Sequence, residues 1–340
     1  MKIKIGIIFG GMSSEHDVSI KSGTSIIENL DHSKYEISKI YIDKDGTWYE
    51  LKEMKMDENN RIIIDNVFSY LKKLDVVFPI LHGKYGEDGS IQGLLELIKV
   101  PYVGCNILSS ALALDKVYTK IILEHANIKQ AKYVCVKRYK DKYVYIGENS
   151  IETEDTLENI CLKVQNKITY PMFVKPSTSG SSIGISKVKN IEELKDAIEY
   201  ASHFDYKIVI EETIVGKEIE CSVLGNEKVK ASSLGEIVPD DEFYSYDAKY
   251  QNKNSKLIIP ARLNEEKVEE VKKIAIQAFK AIGGKGLARI DFFVTDKNIY
   301  VNEINTLPGF TNISMYPKLW EYDGLKYSDL LDEVIQLALK

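Results

Sequence analysis

The stretch GLARIDFFVTDKNIYVNEINTLPGF, Gly286 to Phe310, constrains the chain more than any other. It reads as two strands, LARIDFFV and IYVNEINT, joined by a tight polar turn, TDKN. Residues two apart in a strand point to the same side, so Arg289 shares a face with Asp291, and Glu303 with Asn305. Paired in register, the strands bring two carboxylates, an amide and a guanidinium to one patch. That patch has two readings. One is a solvated face with a surface ion pair; the other is an oxygen-ligand site for Mg²⁺, of the kind that also holds nucleotide phosphates. LPGF follows directly, and a Pro-Gly turn there can present backbone N–H groups to a developing oxyanion, which favours the second.

The 340 residues suffice for two or three domains, and 44% hydrophobic with 28% charged residues is ordinary for a soluble globular protein. A net charge of -6 leaves no basic stripe for nucleic acid. No apolar run approaches the ~20 residues that cross a bilayer, and MKIKIGIIFGG reads as a first strand rather than a signal peptide. Cys105, Cys135, Cys161 and Cys221 are scattered without a C-x-x-C pair, which fits reduced thiols in a cytoplasm and offers neither zinc site nor disulfide frame.

Along the chain, Ile3 to Phe9 is a buried-strand run, and GGMSSEHDVS leads from it into a helix ending near Leu30. Ser14 with Asp17 resembles a cap for that helix, and the glycine turn before it is a place for phosphate or carboxylate. Locally, Glu15 reads as a capping carboxylate and His16 as an exposed imidazole. LDVVFPIL is another buried strand; His82, Glu87 and Asp88 lie past its carboxyl end, where open α/β sheets place ligands. A helix over 88–99, a strand PYVG and one long helix from Ser109 to His125 complete an α/β unit ending near residue 120. The strand KYVCVKR, a polar connection to Thr156, a helix over 157–167 and the strand YPMFVKPS follow. TSGSSIGIS is then either a flexible hairpin loop or a phosphate loop with Lys175 beside it. After a helix over 191–202 come the strand YKIVIEETI, ending in Glu211 and Glu212, and two further strands. DDEFYSYDAKYQNKNSK, with Tyr244, Tyr246, Lys249 and Tyr250, reads as a lid. Helices near Glu265–Ile282 and Tyr327–Leu339 flank the hairpin.

A strand lysine before a Ser/Gly loop, an acidic strand end and a paired-strand Asp/Glu/Asn patch together resemble the ATP-grasp superfamily. Within it, FGGMSSEHDVS, LHGKYGEDGSIQG, VKPSTSGSSIG, YDAKY, GLARIDFF and NEINTLPGFT resemble, in order, the signature blocks of the D-alanine–D-alanine ligases. The blocks span Phe9 to Trp320, and vancomycin-resistance D-alanyl–D-serine ligases share most of them. The resemblance implies an N-terminal α/β domain with a parallel sheet (1–120), a central ATP-grasp lobe (121–210) and a C-terminal lobe with lid and metal site (211–340). It implies that Glu15 binds the ammonium of the first D-alanine and helps order Ser181 and Tyr250, with His82 near the substrate carboxylates. Lys116, Lys175 and Lys249 would contact ATP phosphates, and Ser182 the same nucleotide. Glu211, Glu212 and Ile214 would line the adenine hinge, and Glu218 take the ribose. Better-known enzymes carry a lysine where this chain has Glu212, which puts one nucleotide contact in doubt. Asp291, Glu303 and Asn305 would hold Mg²⁺, two ions in the family's usual pattern, with Mn²⁺ as a substitute. Arg289 and the Gly309 N–H would stabilise the oxyanion, and Ser314 the terminal carboxylate of the second substrate.

The chemistry implied is ATP-dependent joining of two D-amino acids through an acyl phosphate, in a cytoplasmic homodimer making peptidoglycan precursor. Lysines, Arg289 and Mg²⁺ would supply the charge neutralisation that phosphoryl transfer needs. D-alanine as second substrate is favoured over D-serine, and Tyr250 in the lid speaks against D-lactate. An L-amino-acid ligase is disfavoured by FGGMSSEHDVS and YDAKY. A non-catalytic nucleotide sensor is disfavoured because the metal carboxylates and Arg289 are all present.

Overall fold

The structure is a computed structural model and describes residues 1–147, 150–180, 183–238 and 256–340. Three sheets organise it. The first has the order β4-β3-β2-β1-β5 and is built from β1 (Ile3–Gly10), β2 (Tyr35–Ile42), β3 (Trp48–Leu51), β4 (Arg61–Ile63) and β5 (Val76–Pro79). β1 runs parallel to β2 and β5, while β3 and β4 add antiparallel edges. Both faces of β1 are covered, which is why its sequence is an unbroken apolar run. Ile5, Ile7 and Phe9 pack with α1 (His16–Asn29), and Ile8 with residues around α2 (Val67–Leu71) and α3 (Ser90–Ile98).

Two helices follow, α4 (Ile107–Leu114) and α5 (Lys116–His125), where the apolar pattern predicts one. The break is at Asp115, whose backbone is extended and whose carboxylate accepts from Val117 N and Tyr118 N, capping α5. The PYVG strand reduces to an isolated bridge between Val77 and Tyr102. The start of α1 also differs from expectation. Glu15, not Ser14, is the N-cap and makes no side-chain cap bond; the Ser13 hydroxyl accepts from Glu15 N instead. His16 is buried rather than exposed, its Nδ1 2.5 Å from Gly11 O and its Nε2 3.2 Å from the Tyr41 hydroxyl.

The second sheet, β10-β9-β11-β6-β7-β8, is antiparallel throughout. Its strands are β6 (Tyr133–Tyr139), β7 (Lys142–Ile146), β8 (Glu152–Asp155), β9 (Met172–Pro176), β10 (Ser186–Val188) and β11 (Lys207–Glu212). β7 and β8 occupy much of what the sequence shows as a polar connection; on this edge Tyr143, Tyr145 and Thr153 satisfy strand pairing without a long apolar run. α6 (Leu157–Lys167) and α7 (Ile191–Ala201) cover one face through Val174, Ile208 and Ile210. Strand alternation turns Lys175, Val209 and Glu211 to the other.

The third sheet, β14-β13-β12-β15-β16, comprises β12 (Lys217–Leu224), β13 (Lys230–Val238), β14 (Lys256–Ile258), β15 (Leu287–Val294) and β16 (Ile299–Asn305). α8 (Glu265–Ala281) covers one face through Ala288, Ile290 and Phe292. α9 (Met315–Tyr322) and α10 (Tyr327–Leu339) then carry the chain back to the first sheet. No helix among the described residues is long and apolar enough to cross a membrane. The four cysteines are free and buried.

Candidate active site

The β15–β16 hairpin has the register its sequence predicts: Arg289 opposes Asn305, and Asp291 opposes Glu303. One detail is not visible in the alternation. Asp291 pairs with Glu303 while Phe292 pairs with Val301, so Asn302 is an extra residue, a bulge. Without it Glu303 would follow Ile299 and Val301 towards the α8 core. With it, Val301 and Ile304 both face the core and Glu303 joins the polar patch. Arg289 donates bidentately to Asp291, at 2.7 Å on both arms, and its Nε lies 3.1 Å from Glu220 Oε2 on β12. Asn305 Nδ2 donates to Asp291 Oδ2 at 3.0 Å. Burial works against the Arg289 charge, but Asp291, Glu220 and Glu303 raise its pKa well above the usual guanidinium range. Among the described residues, three carboxylates thus surround one guanidinium. Oxygen donors with an excess of negative charge are the chemistry a hard divalent cation takes, although Asp291 is here turned to Arg289 and, among the described residues, no three acidic, histidine or cysteine side chains are grouped as a metal site.

On the other face of the second sheet, under α5, Glu211 is clamped between two lysines: Lys120 Nζ at 2.8 Å and Lys175 Nζ at 2.5 Å. Burial pushes its carboxyl up, yet these two cations bring it down to about 2. Beside it, Lys207 Nζ meets Asp115 Oδ2 at 2.5 Å, and Ser177 donates to Asp115 Oδ1 at 2.7 Å. Asp115 therefore ties α5 to the strand end that carries Lys175. Lys116, the next residue, turns its ammonium to Ser179 O at 2.8 Å, at the start of the Ser/Gly loop. Glu212 accepts from Lys132 N at 2.8 Å, so the acid at the position in doubt is occupied in holding the β6 end. Ile214 is half-buried in the connection to β12, and Glu218 begins the pairing of β12 with β13.

The first domain brings its own set to the same region. Glu15 is buried, and a Cβ built on Gly83 would lie 2.7 Å from its Oε2, one on Gly180 3.2 Å. Thus FGGMSSEHDVS, LHGKYGEDG and the Ser/Gly loop meet at one carboxylate. His82 is buried, with Nε2 2.9 Å from Ser22 Oγ and Nδ1 3.6 Å from Glu87 Oε1. Removal from water pushes the Glu87 carboxyl up; its contact with His82 opposes this, and the nearby Glu15 charge adds to it. Asp88 instead accepts from Tyr85 N and Ser90 N, a turn and helix-start role. Past β16, Ser314 Oγ accepts from Thr311 N at 3.0 Å, closing the turn over Gly309, where a Cβ would stand 2.8 Å from that hydroxyl. Ser181, Ser182, Lys249 and Tyr250, with nearly all of the proposed lid, lie outside the described residues.

Sequence reasoning missed Lys120, Lys207, Asp115 and Glu220. The first three serve a buried network assembled from α5 and β11, elements far apart in the chain. Glu220 had a local signal, the alternation of KEIECSVLG, but its partner is set by the pairing of β12 with β15.

Comparison with known proteins gives this arrangement a family. The family models described as D-ala D-ala ligase N-terminus and D-ala D-ala ligase C-terminus match residues 4–105 and 122–336. The chain belongs to the D-alanine–D-alanine ligase family. The D-alanine–D-alanine ligase from Clostridium acetobutylicum and D-alanine–D-alanine ligase B from Clostridium tetani are each 48% identical over 99% of this chain, covering 98% and 94% of their own lengths. Among solved structures, the VanG D-Ala:D-Ser ligase from Enterococcus faecalis has a TM-score of 0.87 at 36% identity, covering 99% of this chain and 100% of that one. The D-alanine-D-alanine ligase from Coxiella burnetii has 0.86 at 36% identity, with 99% and 94% covered. As a family member the chain is an ATP-dependent ligase with the ATP-grasp fold, and its chemistry uses a divalent metal.

Proposed function

We propose that the protein joins D-alanine to D-alanine for peptidoglycan precursor synthesis. The observation that carries this reading is the meeting of Glu15 and Gly83 of the first domain with Gly180 of the Ser/Gly loop. It brings the block that distinguishes D-amino-acid ligases to the edge of the nucleotide lobe.

The carboxylate of the first D-alanine is a poor electrophile and needs a better leaving group on its carbonyl. Transfer of the ATP γ-phosphoryl group to it gives an acyl phosphate, which the amine of the second D-alanine attacks with loss of phosphate. Glu15 binds the first ammonium and orders Ser181 and Tyr250, while His82, held by Ser22 and near Glu87, lies by the substrate carboxylates. Lys116, Lys175 and Lys249 contact phosphates, Ser182 the same nucleotide; Glu211, Glu212 and Ile214 line the adenine hinge, and Glu218 takes the ribose. Asp291, Glu303 and Asn305 would hold Mg²⁺, two ions, with Mn²⁺ as a substitute. The metal, when bound, neutralises phosphate charge. Arg289 and the Gly309 N–H face the tetrahedral oxyanion, and Ser314 the terminal carboxylate. The lid and Ser/Gly loop exclude water, which would hydrolyse the acyl phosphate. Exposed Leu97, Leu108, Tyr118 and Ile121 on α3–α5 support a homodimer. ATP and free D-amino acids as substrates support a cytoplasmic location.

D-serine as second substrate is the alternative, kept open by the similarity to the VanG D-Ala:D-Ser ligase. The 48% identical relatives named for D-alanine favour D-alanine. The test is ADP release with Mg²⁺–ATP, with D-alanine alone and with D-alanine plus D-serine, products identified by mass. D-Alanyl–D-alanine as the main product in both supports the proposal. A dominant mixed dipeptide assigns the D-serine branch, and no ADP release with either mixture overturns the ligase reading.

A further inference from the structure

Glu211 faces two ammonium groups, and the two differ in what else they can do. Lys175 is the residue before the last of β9, just ahead of the Ser/Gly loop, with 13% of its side-chain surface exposed. Lys120 is deeper, 4% exposed. Its ammonium also lies 5.3 Å from the centroid of the Tyr133 ring, and its backbone carbonyl accepts from Gln130 Nε2 at 2.6 Å. The Lys175 ammonium also has a ring beside it, Phe173 at 5.9 Å, so depth and place separate the two: Lys175, more exposed and next to the loop, is the member placed to turn towards a ligand, and Lys120 the member placed to stay. A buried carboxylate can release one counter-ion only if another remains, since an uncompensated charge is strongly disfavoured away from water. We propose that Lys120 is a positioning residue for nucleotide binding: it keeps Glu211 compensated when Lys175 turns its ammonium to a phosphate of ATP.

The inference rests on the reading of Lys175 as a phosphate contact. Lys120 touches no substrate; it acts through Glu211. Without it, Lys175 has to choose between Glu211 and the phosphate, and ATP binding carries the cost of that choice. The D-amino-acid site, built around Glu15 and His82, is not part of the competition. The effect therefore belongs to nucleotide affinity.

The experiment measures the Kd of ATP with Mg²⁺ by calorimetry, without D-amino acid, for the full chain and for Lys120→Met, Glu211→Gln, the double variant and Lys175→Met. Lys120→Met is expected to weaken ATP binding by ~tenfold or more, equivalent to about 1.4 kcal/mol, and to leave the KM for D-alanine within ~twofold. With Glu211 already neutral, the same Lys120→Met change is expected to cost less than ~threefold, the non-additivity of a coupled pair. Wild-type ATP affinity in Lys120→Met overturns the proposal. So does an equal loss in both backgrounds, which would assign Lys120 to packing. If Lys120→Met does not fold, the double variant is compared with Glu211→Gln alone: matching affinities support the proposal, and a ~tenfold weaker double overturns it. Wild-type affinity in Lys175→Met removes the phosphate assignment and the proposal with it, whereas a weakened Lys175→Met beside an unchanged Lys120→Met removes the proposal alone.

Discussion

Glu211→Gln tests the electrostatics of the central lobe by pH. The wild-type carboxyl falls from its ordinary 4.5 to about 2 because Lys120 and Lys175 outweigh its burial. The fall from 4.5 to about 2 corresponds to about 3 kcal/mol of pH-dependent stability. The sign follows from the direction. The unfolded chain takes up the proton first, so the contribution is fully present above pH 4.5 and fades as pH falls towards 2. By about pH 3.5 on the order of 1 kcal/mol is gone. At neutral pH the amide leaves two buried ammonium groups facing each other without their counter-charge, a loss of about 3–5 kcal/mol. The gap in stability between wild type and Glu211→Gln is therefore expected to be wide at neutral pH and to narrow by on the order of 1 kcal/mol by about pH 3.5. Urea unfolding of both proteins, followed across that range, reads it directly. Two parallel stability curves would refute the reasoning, because they would mean that Glu211 titrates alike in the folded and unfolded chains.

Asp115→Asn keeps an oxygen to cap α5 but strips Lys207 of its counter-charge; a loss of about 3 kcal/mol in thermal unfolding is expected, and unchanged stability removes the ion pair's role. Gly10→Ala puts a Cβ 2.2 Å from Ile42 O at a φ of +90°, so a loss of at least ~2 kcal/mol is expected, and a wild-type melting curve would contradict the turn geometry. Glu303→Gln is expected to weaken divalent-metal binding and to lower ADP release by on the order of 10²-fold or more, with the metal-free fold intact by circular dichroism. Near-wild-type turnover would exclude Glu303 as a ligand.

What the chain discloses about itself depends on how local each signal is. The β15–β16 hairpin announces its partners because Arg289, Asp291, Glu303 and Asn305 lie within one turn of chain. The helices over 157–167 and 265–282 are legible for the same reason, opening at Thr156 and Asn264, whose side chains cap them. The break at Asp115 is not legible. Its apolar periodicity continues across the residue, and only Lys207 and Ser177, distant in sequence, show why the backbone turns there. His16 misleads in the opposite way. Beside Glu15 and Asp17 it reads as solvated, but Tyr41 and the Gly11 carbonyl give its ring buried partners. The bulge at Asn302 falls between these cases, since it is felt only as Val301 and Ile304 both facing the core across the hairpin.

The return of α10 to the first sheet bears on how the protein is made. Leu330, Leu331, Val334 and Ile335 belong to the same core as Ile5, Ile7 and Phe9, and Asp332 accepts from Lys34 and from the Tyr35 hydroxyl. β1 (Ile3–Gly10) is thus covered by a helix, Tyr327–Leu339, that leaves the ribosome far behind it. At about 5–20 residues per second the interval is on the order of tens of seconds. For that time one face of the N-terminal sheet lacks its cover, while the two antiparallel lobes, whose helices lie close to their strands in sequence, can close behind it. The nascent chain can therefore close these two lobes before the sheet that precedes them, and β1 waits longer for its covering helix than the strands of either lobe wait for theirs.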